Sequence, residues 1–169
     1  KLNISSPGII VTSTADTQAA DGLCTLREAI LNSNHNDQSG SSDCPSGGGG
    51  TATITFSIPH PNTITLNSQL PAITDDLTIQ GLGANQLTIS GNDNDRVLSL
   101  NPGVFLTLND LTIAHGQAPS GHGGGVEVAG GNLTVTDCVF SSNQAPGSGG
   151  AIHNGGGSLT IQDTTFSNN

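Results

Sequence analysis

The sequence has no Trp, Tyr or Met, and its only aromatic residues are Phe56, Phe105, Phe140 and Phe166. Cations are almost as scarce: Lys1, Arg27 and Arg96 stand against 13 acidic residues, for a formal net charge of −10. Neutralising phosphates takes clustered Lys or Arg, so nucleic-acid binding is excluded, and attraction to an anionic membrane fails for the same reason. No apolar run approaches the ~20 residues of a membrane-spanning helix, so no membrane insertion is expected. The chain starts at Lys1 rather than Met, as expected of a processed, truncated or partial form, and the missing signal peptide fits prior removal. Charged residues make up 9%, far below the roughly 25% usual in soluble domains. Low charge alone would suit disorder, but the runs TATITF, NTITL, DLTIQ, QLTIS and NLTVT alternate apolar and polar residues as β-strands do. The 24 glycines fit a chain with many turns.

The strongest signal is a repeat. Leu133-Thr-Val-Thr-Asp-Cys-Val-Phe-Ser-Ser-Asn143 returns as Leu159-Thr-Ile-Gln-Asp-Thr-Thr-Phe-Ser-Asn-Asn169, and Leu106 opens a fainter copy upstream. Gly125-Val126-Glu127-Val128 overlies Ala151-Ile152-His153-Asn154 at the same offset. A fixed period of this size predicts a solenoid, in which each repeat buries its apolar face by stacking on its neighbours. Three short strands per period predict a parallel β-helix: an all-β fold with inward columns Leu106/Leu133/Leu159, Leu108/Val135/Ile161 and Ile113/Phe140/Phe166. Four coils at the spacing of paired strands give a body roughly 20 Å long. Alignment on Asp76, Asp110, Asp137 and Asp163 makes the first of these coils much the longest, with LTISG as an extra strand inside it. Strands are expected at 52–58, 63–66, 70–74, 77–80 and on through 164–167.

Two parts are therefore expected: residues 1–50, with an N-terminal strand, a capping helix and a cysteine loop, and residues 51–169, the β-helix coils. Thr25 and Glu28, three positions later, predict a capping box, each side chain satisfying a backbone N–H at the helix start. Leu26, Ala29 and Ile30 then share one helix face, and the helix should end near Asn34. Cys24 and Cys44 flank a polar loop. A disulfide closing it would be worth roughly 3 kcal/mol and would imply an extracytoplasmic setting; the alternative is two buried thiols. Cys138 falls in a column with Leu111 and Thr164, as a buried free thiol does.

The residues from Val11 to Asp16, followed by Asp21-Gly-Leu-Cys-Thr-Leu-Arg-Glu-Ala-Ile30, resemble the bacterial CSLREA domain. The motif is matched by Cys24-Thr25-Leu26-Arg27-Glu28-Ala29, with Thr in place of Ser, and the family's second downstream cysteine by Cys44. The resemblance extends over nearly the whole chain and implies a right-handed parallel β-helix after the motif. Gly149-Gly-Ala-Ile152, Phe140-Ser-Ser-Asn143 and Phe166-Ser-Asn-Asn169 are similar to the GGAI and FxxN signatures of chlamydial polymorphic outer-membrane proteins. That second likeness implies an adhesin-like protein at a bacterial cell surface.

Little in the sequence points to chemistry. Polysaccharide lyases and hydrolases on β-helices need a basic residue or paired carboxylates in a groove. Beyond Arg96 the repeats contain no Lys, Arg, Trp or Tyr, and the adjacent Asp75 and Asp76 point to opposite faces of a strand. Catalysis is not expected. Two acidic features could hold Ca²⁺: the column Asp76, Asp110, Asp137 and Asp163, and the loop carrying Asn92, Asp93 and Asp95. Each has a simpler reading as turn-forming residues. His115, His122 and His153 read as loop histidines, and Asn3 and Asn132 open glycosylation sequons.

Phe166, Asn168 and Asn169 end the sequence inside a coil motif. An open coil exposes backbone donors and apolar edges, so either the solenoid continues or another subunit covers this end. The expected role is structural or adhesive: a rod, the stalk of a larger surface protein, or a subunit of a head-to-tail fibre. Self-association or contact with a host or cell surface follows as the partner. The alternative is a polysaccharide-active enzyme or glycan-binding module on the same scaffold.

Overall fold

The structure, a computed structural model, describes residues 8–169; residues 1–7, with the Asn3 sequon and the start of the polar arm, lie outside the described residues. Among the described residues, fourteen short strands and one helix form a parallel β-solenoid of about four turns. Its first strand, β1 (Gly8–Val11), leads into α1 (Leu26–His35). From there each coil contributes one strand to each of up to three sheets.

The first sheet stacks β1, β2 (Ala52–Phe56), β4 (Leu77–Gln80), β7 (Phe105–Asn109), β10 (Asn132–Thr136) and β13 (Leu159–Gln162). The second stacks β3 (Asn62–Thr65), β5 (Leu87–Ser90), β8 (Thr112–Ala114), β11 (Val139–Ser141) and β14 (Thr165–Ser167). The third stacks β6 (Leu98–Leu100), β9 (Val126–Val128) and β12 (Ile152–Asn154). All registered pairings are parallel, and like residues sit over like. Leu77, Leu106, Leu133 and Leu159 form one inward column, and Ile79, Leu108, Val135 and Ile161 the next. Ile113, Phe140 and Phe166 pair in the second sheet, and the Phe140 and Phe166 rings stack with centroids 5.2 Å apart. Between these columns the outward positions of the first sheet carry Thr53, Thr78, Thr107, Thr134 and Thr160 in one rank. The alternation follows from the strand's period of two, which sends successive side chains to opposite faces.

The register corrects the coil lengths. Ala52 pairs with Leu77, and Leu77 with Leu106. These early coils are therefore close in length to the later ones, which run from Leu106 to Leu133 and on to Leu159 as expected. LTIS is not an insertion but β5, a regular member of the second sheet. Residues 70–74 do not form a strand and hold only an isolated bridge from Ile73 to Leu100. The side chain of Asn34 occupies this segment's backbone, donating to Ala72 O at 2.7 Å and accepting from Thr74 N–H at 2.9 Å.

The apolar interior is one cluster from Ile9 and Val11 through the helix residues Leu26, Ala29 and Ile30 to Phe140. The helix thus closes one end of the solenoid with the face expected of it. Among the described residues, no helix is long and apolar enough to cross a membrane.

Candidate functional site

The cap is built around Thr25 and Glu28. The Thr25 hydroxyl accepts from Glu28 N–H, and a Glu28 carboxylate oxygen accepts from Thr25 N–H at 2.9 Å. The other Glu28 oxygen accepts from Ala19 N–H at 2.8 Å, so this fully buried acid has both oxygens satisfied. Cys24 and Cys44 are joined by a disulfide and are both buried. Arg27 reaches away from the helix as a fork. Its Nε and Nη2 each meet a carboxylate oxygen of Asp16 at 2.8 Å, while Nη1 and Nη2 also donate to Gln69 O and Ser68 O. Asp16 is buried and also accepts from Asn67 N–H at 2.7 Å. The ion pair therefore joins the turn before the helix to the helix, and its hydrogen bonds to residues 67–69 tie both to the first coil.

The aspartate column loses its first expected member. Gln80 pairs with Asn109, so Gly81 stands over Asp110, while Asp76 precedes β4 and accepts Phe105 N–H at 2.9 Å. The three true members share a backbone role. Asp110, Asp137 and Asp163 have φ of 55°, 52° and 45°, the left-handed region that Asp tolerates better than most residues. Asp110 also accepts the Gln80 side-chain amide at 2.7 Å.

The loop before β6 is likewise a turn. Asn92 and Asp93 are both left-handed, and Asn94 N–H and Asp95 N–H donate to Gly91 O. One Asp93 oxygen lies 3.1 Å from His115 Nδ1. Among the described residues, no three His, Cys, Asp or Glu groups converge as a metal site would require.

Cys138 is a buried free thiol. Burial pushes it above the ordinary thiol range, although backbone hydrogen bonding works the other way. Its Sγ lies 3.2 Å from Thr136 O.

Leu159, Ile161 and Phe166 continue the buried inward columns, yet they are 36%, 42% and 44% exposed. Asn169 continues a polar column beside them. Asn143, fully buried, accepts Gly116 N–H at 2.9 Å and donates to Ile113 O at 3.0 Å. One coil later Asn169 accepts Asn143 N–H at 3.0 Å and donates to Phe140 O at 3.0 Å. Asn143 and Asn169, each three residues after a stacked Phe, are thus rungs that splice their coils to the one before. Gly116 begins the ladder because a Cβ there would lie 2.9 Å from Asn143 Oδ1 and closer still to Gly124 O. Asn168, next to the last rung, has φ of 55°.

No family model, curated sequence or solved structure matches the chain. The geometry therefore carries the functional reading.

Some polar groups came together without a sequence signal. His122 and His153 stack with ring centroids 4.3 Å apart, although their separation along the chain is not a repeat period. Ser148 N–H donates to His122 Nδ1 at 2.8 Å. His153 Nδ1 lies 3.1 Å from Glu127 Oε1, a pairing that does follow the period. The Asp16–Arg27 clamp joins a turn to a helix and had only composition to announce it: Arg27 is one of three Lys or Arg residues in the chain.

Proposed function

We propose that this chain is a non-catalytic structural or adhesive β-solenoid working outside the cytoplasm, as the stalk of a larger surface protein or as a subunit of a head-to-tail fibre. The observation that carries the reading is the in-register stacking of one column set through all the coils, which Leu159, Ile161 and Phe166 continue in the last of them. Their counterparts in the earlier coils, such as Leu106, Leu133, Leu108, Val135, Ile113 and Phe140, are all buried. Fully covering each apolar side chain is worth about 1.5–3 kcal/mol, and the strand edges there match the pairing already used through the rest of the body. Another β-coil stacked on these columns, from the same chain or a second copy, would meet a formed template, as repeat proteins require of their neighbours. The Cys24–Cys44 disulfide supports an oxidising compartment. The resemblance of the cap to the bacterial CSLREA domain supports a bacterial source, and the likeness of Phe140-Ser-Ser-Asn143 and Gly149-Gly-Ala-Ile152 to chlamydial outer-membrane repeats supports a cell surface.

The test is self-association of the chain against a Phe166→Asp variant, by light scattering and negative-stain electron microscopy at high concentration. Wild type is expected to elongate end to end, and the variant to remain short. A wild-type chain that stays monomeric, or a variant that elongates equally, would sink the fibre reading. For the stalk reading, fusing one further coil of the repeat after Asn169 is expected to raise the melting temperature. A coil that leaves it unchanged removes that reading.

A further inference from the structure

Two consecutive coils carry the same tripeptide at the same corner. Gln117-Ala-Pro119 and Gln144-Ala-Pro146 lie one coil apart, are bridged in parallel from Gln117 to Gln144, and follow β8 and β11. Together with Asp93 and Asn94 of the preceding coil they line a groove of about 420 Å³ running across three coils. This size, with a few polar groups above an apolar wall, suits a ligand site.

The fold accounts for the backbone of this corner and not for its glutamines. Gln117 N–H donates to Asp95 O at 2.9 Å and Gln144 N–H to Gly116 O at 2.7 Å. Both side chains are exposed, and neither amide has an intramolecular hydrogen bond among the described residues. Each offers a carbonyl acceptor and two N–H donors, repeated at the roughly 4.8 Å spacing of paired strands. Pro119 and Pro146 supply saturated rings beside them. Asp93 adds a carboxylate that is exposed and bound on one oxygen only, to His115.

We propose that this groove binds an uncharged linear oligosaccharide along the solenoid axis. The chemistry selects that class in three steps. No Lys or Arg lines the groove, and the chain carries −10 overall, so polyanions are repelled. An extended peptide would bind by adding to a free strand edge, but the backbones here are already paired with each other. A sugar chain needs no backbone edge: its hydroxyls meet the glutamine amides and Asp93, and its C–H faces meet the proline rings. A ligand with a repeat of its own also suits a site that repeats along the axis. The groove is formed within one chain, so the proposal stands whether or not the chain assembles end to end.

The test uses the intact chain with cellohexaose, chitohexaose and maltohexaose as uncharged probes and hexagalacturonate as the anionic control. Binding is read by titration calorimetry and by the glutamine side-chain amide signals in ¹H–¹⁵N spectra. At least one uncharged hexamer is expected to bind saturably and to shift the Gln117 and Gln144 signals. The double variant Gln117→Ala/Gln144→Ala is expected to lose affinity by about tenfold or more at an unchanged melting temperature. If that variant proves less stable, Gln117→Glu/Gln144→Glu keeps the shape and should bind more weakly through its altered hydrogen bonding. The proposal is overturned if no uncharged probe binds, if hexagalacturonate binds equally well, or if binding shifts no glutamine signal or survives both double variants.

Discussion

The side chain of Asn169 does for Asn143 what Asn143 does for Gly116: each accepts a backbone N–H and donates to a carbonyl in the coil before it. The two amides also touch, with Asn143 Nδ2 donating to Asn169 Oδ1 at 2.9 Å. An asparagine at this place in the repeat therefore acts as a splice between coils. The two rungs differ in environment, because Asn143 is fully buried and Asn169 is exposed.

That difference predicts unequal costs. Asn143→Ala leaves Gly116 N–H and Ile113 O without their partner inside the body, and should lower stability by about 2–3 kcal/mol. Asn169→Ala should cost about 1 kcal/mol or less, since water replaces the lost partner. Urea unfolding of the two variants checks this, and equal costs would contradict the splice.

The clamp between Arg27 and Asp16 should behave as a buried pair. Asp16 has a side-chain exposure of 1%, so Arg27→Ala strands a carboxylate and should cost about 3 kcal/mol. Arg27→Lys should recover little, because an ammonium cannot span both carboxylate oxygens while also donating to Ser68 O and Gln69 O. Denaturant melts of the two variants give the comparison; a lysine variant as stable as wild type would show that charge alone suffices.

Asp137 separates turn geometry from cation binding. With φ at 52°, Asp137→Gly should be neutral or mildly stabilising, whereas Asp137→Val should cost about 1–2 kcal/mol. If the Asp110, Asp137 and Asp163 column held Ca²⁺, the glycine variant would instead lose a calcium-dependent gain in melting temperature. Thermal melts with calcium and with chelator distinguish the two outcomes.

Cys138 sets a pH dependence of known sign. Burial raises its pKa, so on raising the pH the unfolded chain ionises this thiol first. The contribution to stability is present below the ordinary thiol pKa of 9.0 and is lost as pH rises through the higher folded value. Wild type should therefore lose more stability between about pH 8 and 10 than Cys138→Ala, which has no thiol to ionise. A thiol reagent should label native Cys138 far more slowly than the unfolded chain, and fast native labelling would contradict the burial.

Much of this architecture follows from the chain read as text. A repeat of nearly fixed period with apolar residues at alternate positions has one economical solution, parallel stacking, so the columns of Leu106, Leu108 and Ile113 could be named in advance. The helix start was equally local, because a capping box needs only Thr25 and Glu28 at their short spacing. What tertiary structure alone decided lies where contacts leave the period. Burial of Leu77 over Ala52 and under Leu106 set the early register, overruling an aspartate alignment that would have left Asp76 in the wrong column. Asn34 took one backbone edge of residues 72–74, leaving Ile73 to bridge Leu100 on the other. The Arg27 clamp and the His122–His153 stack join segments that the repeat does not place opposite each other, and their meeting depends on how the chain closes around them. Local pattern determines what each residue faces, inward or outward. Which distant residue it meets is settled only when the coils stack, because that choice minimises exposed apolar surface over the whole body.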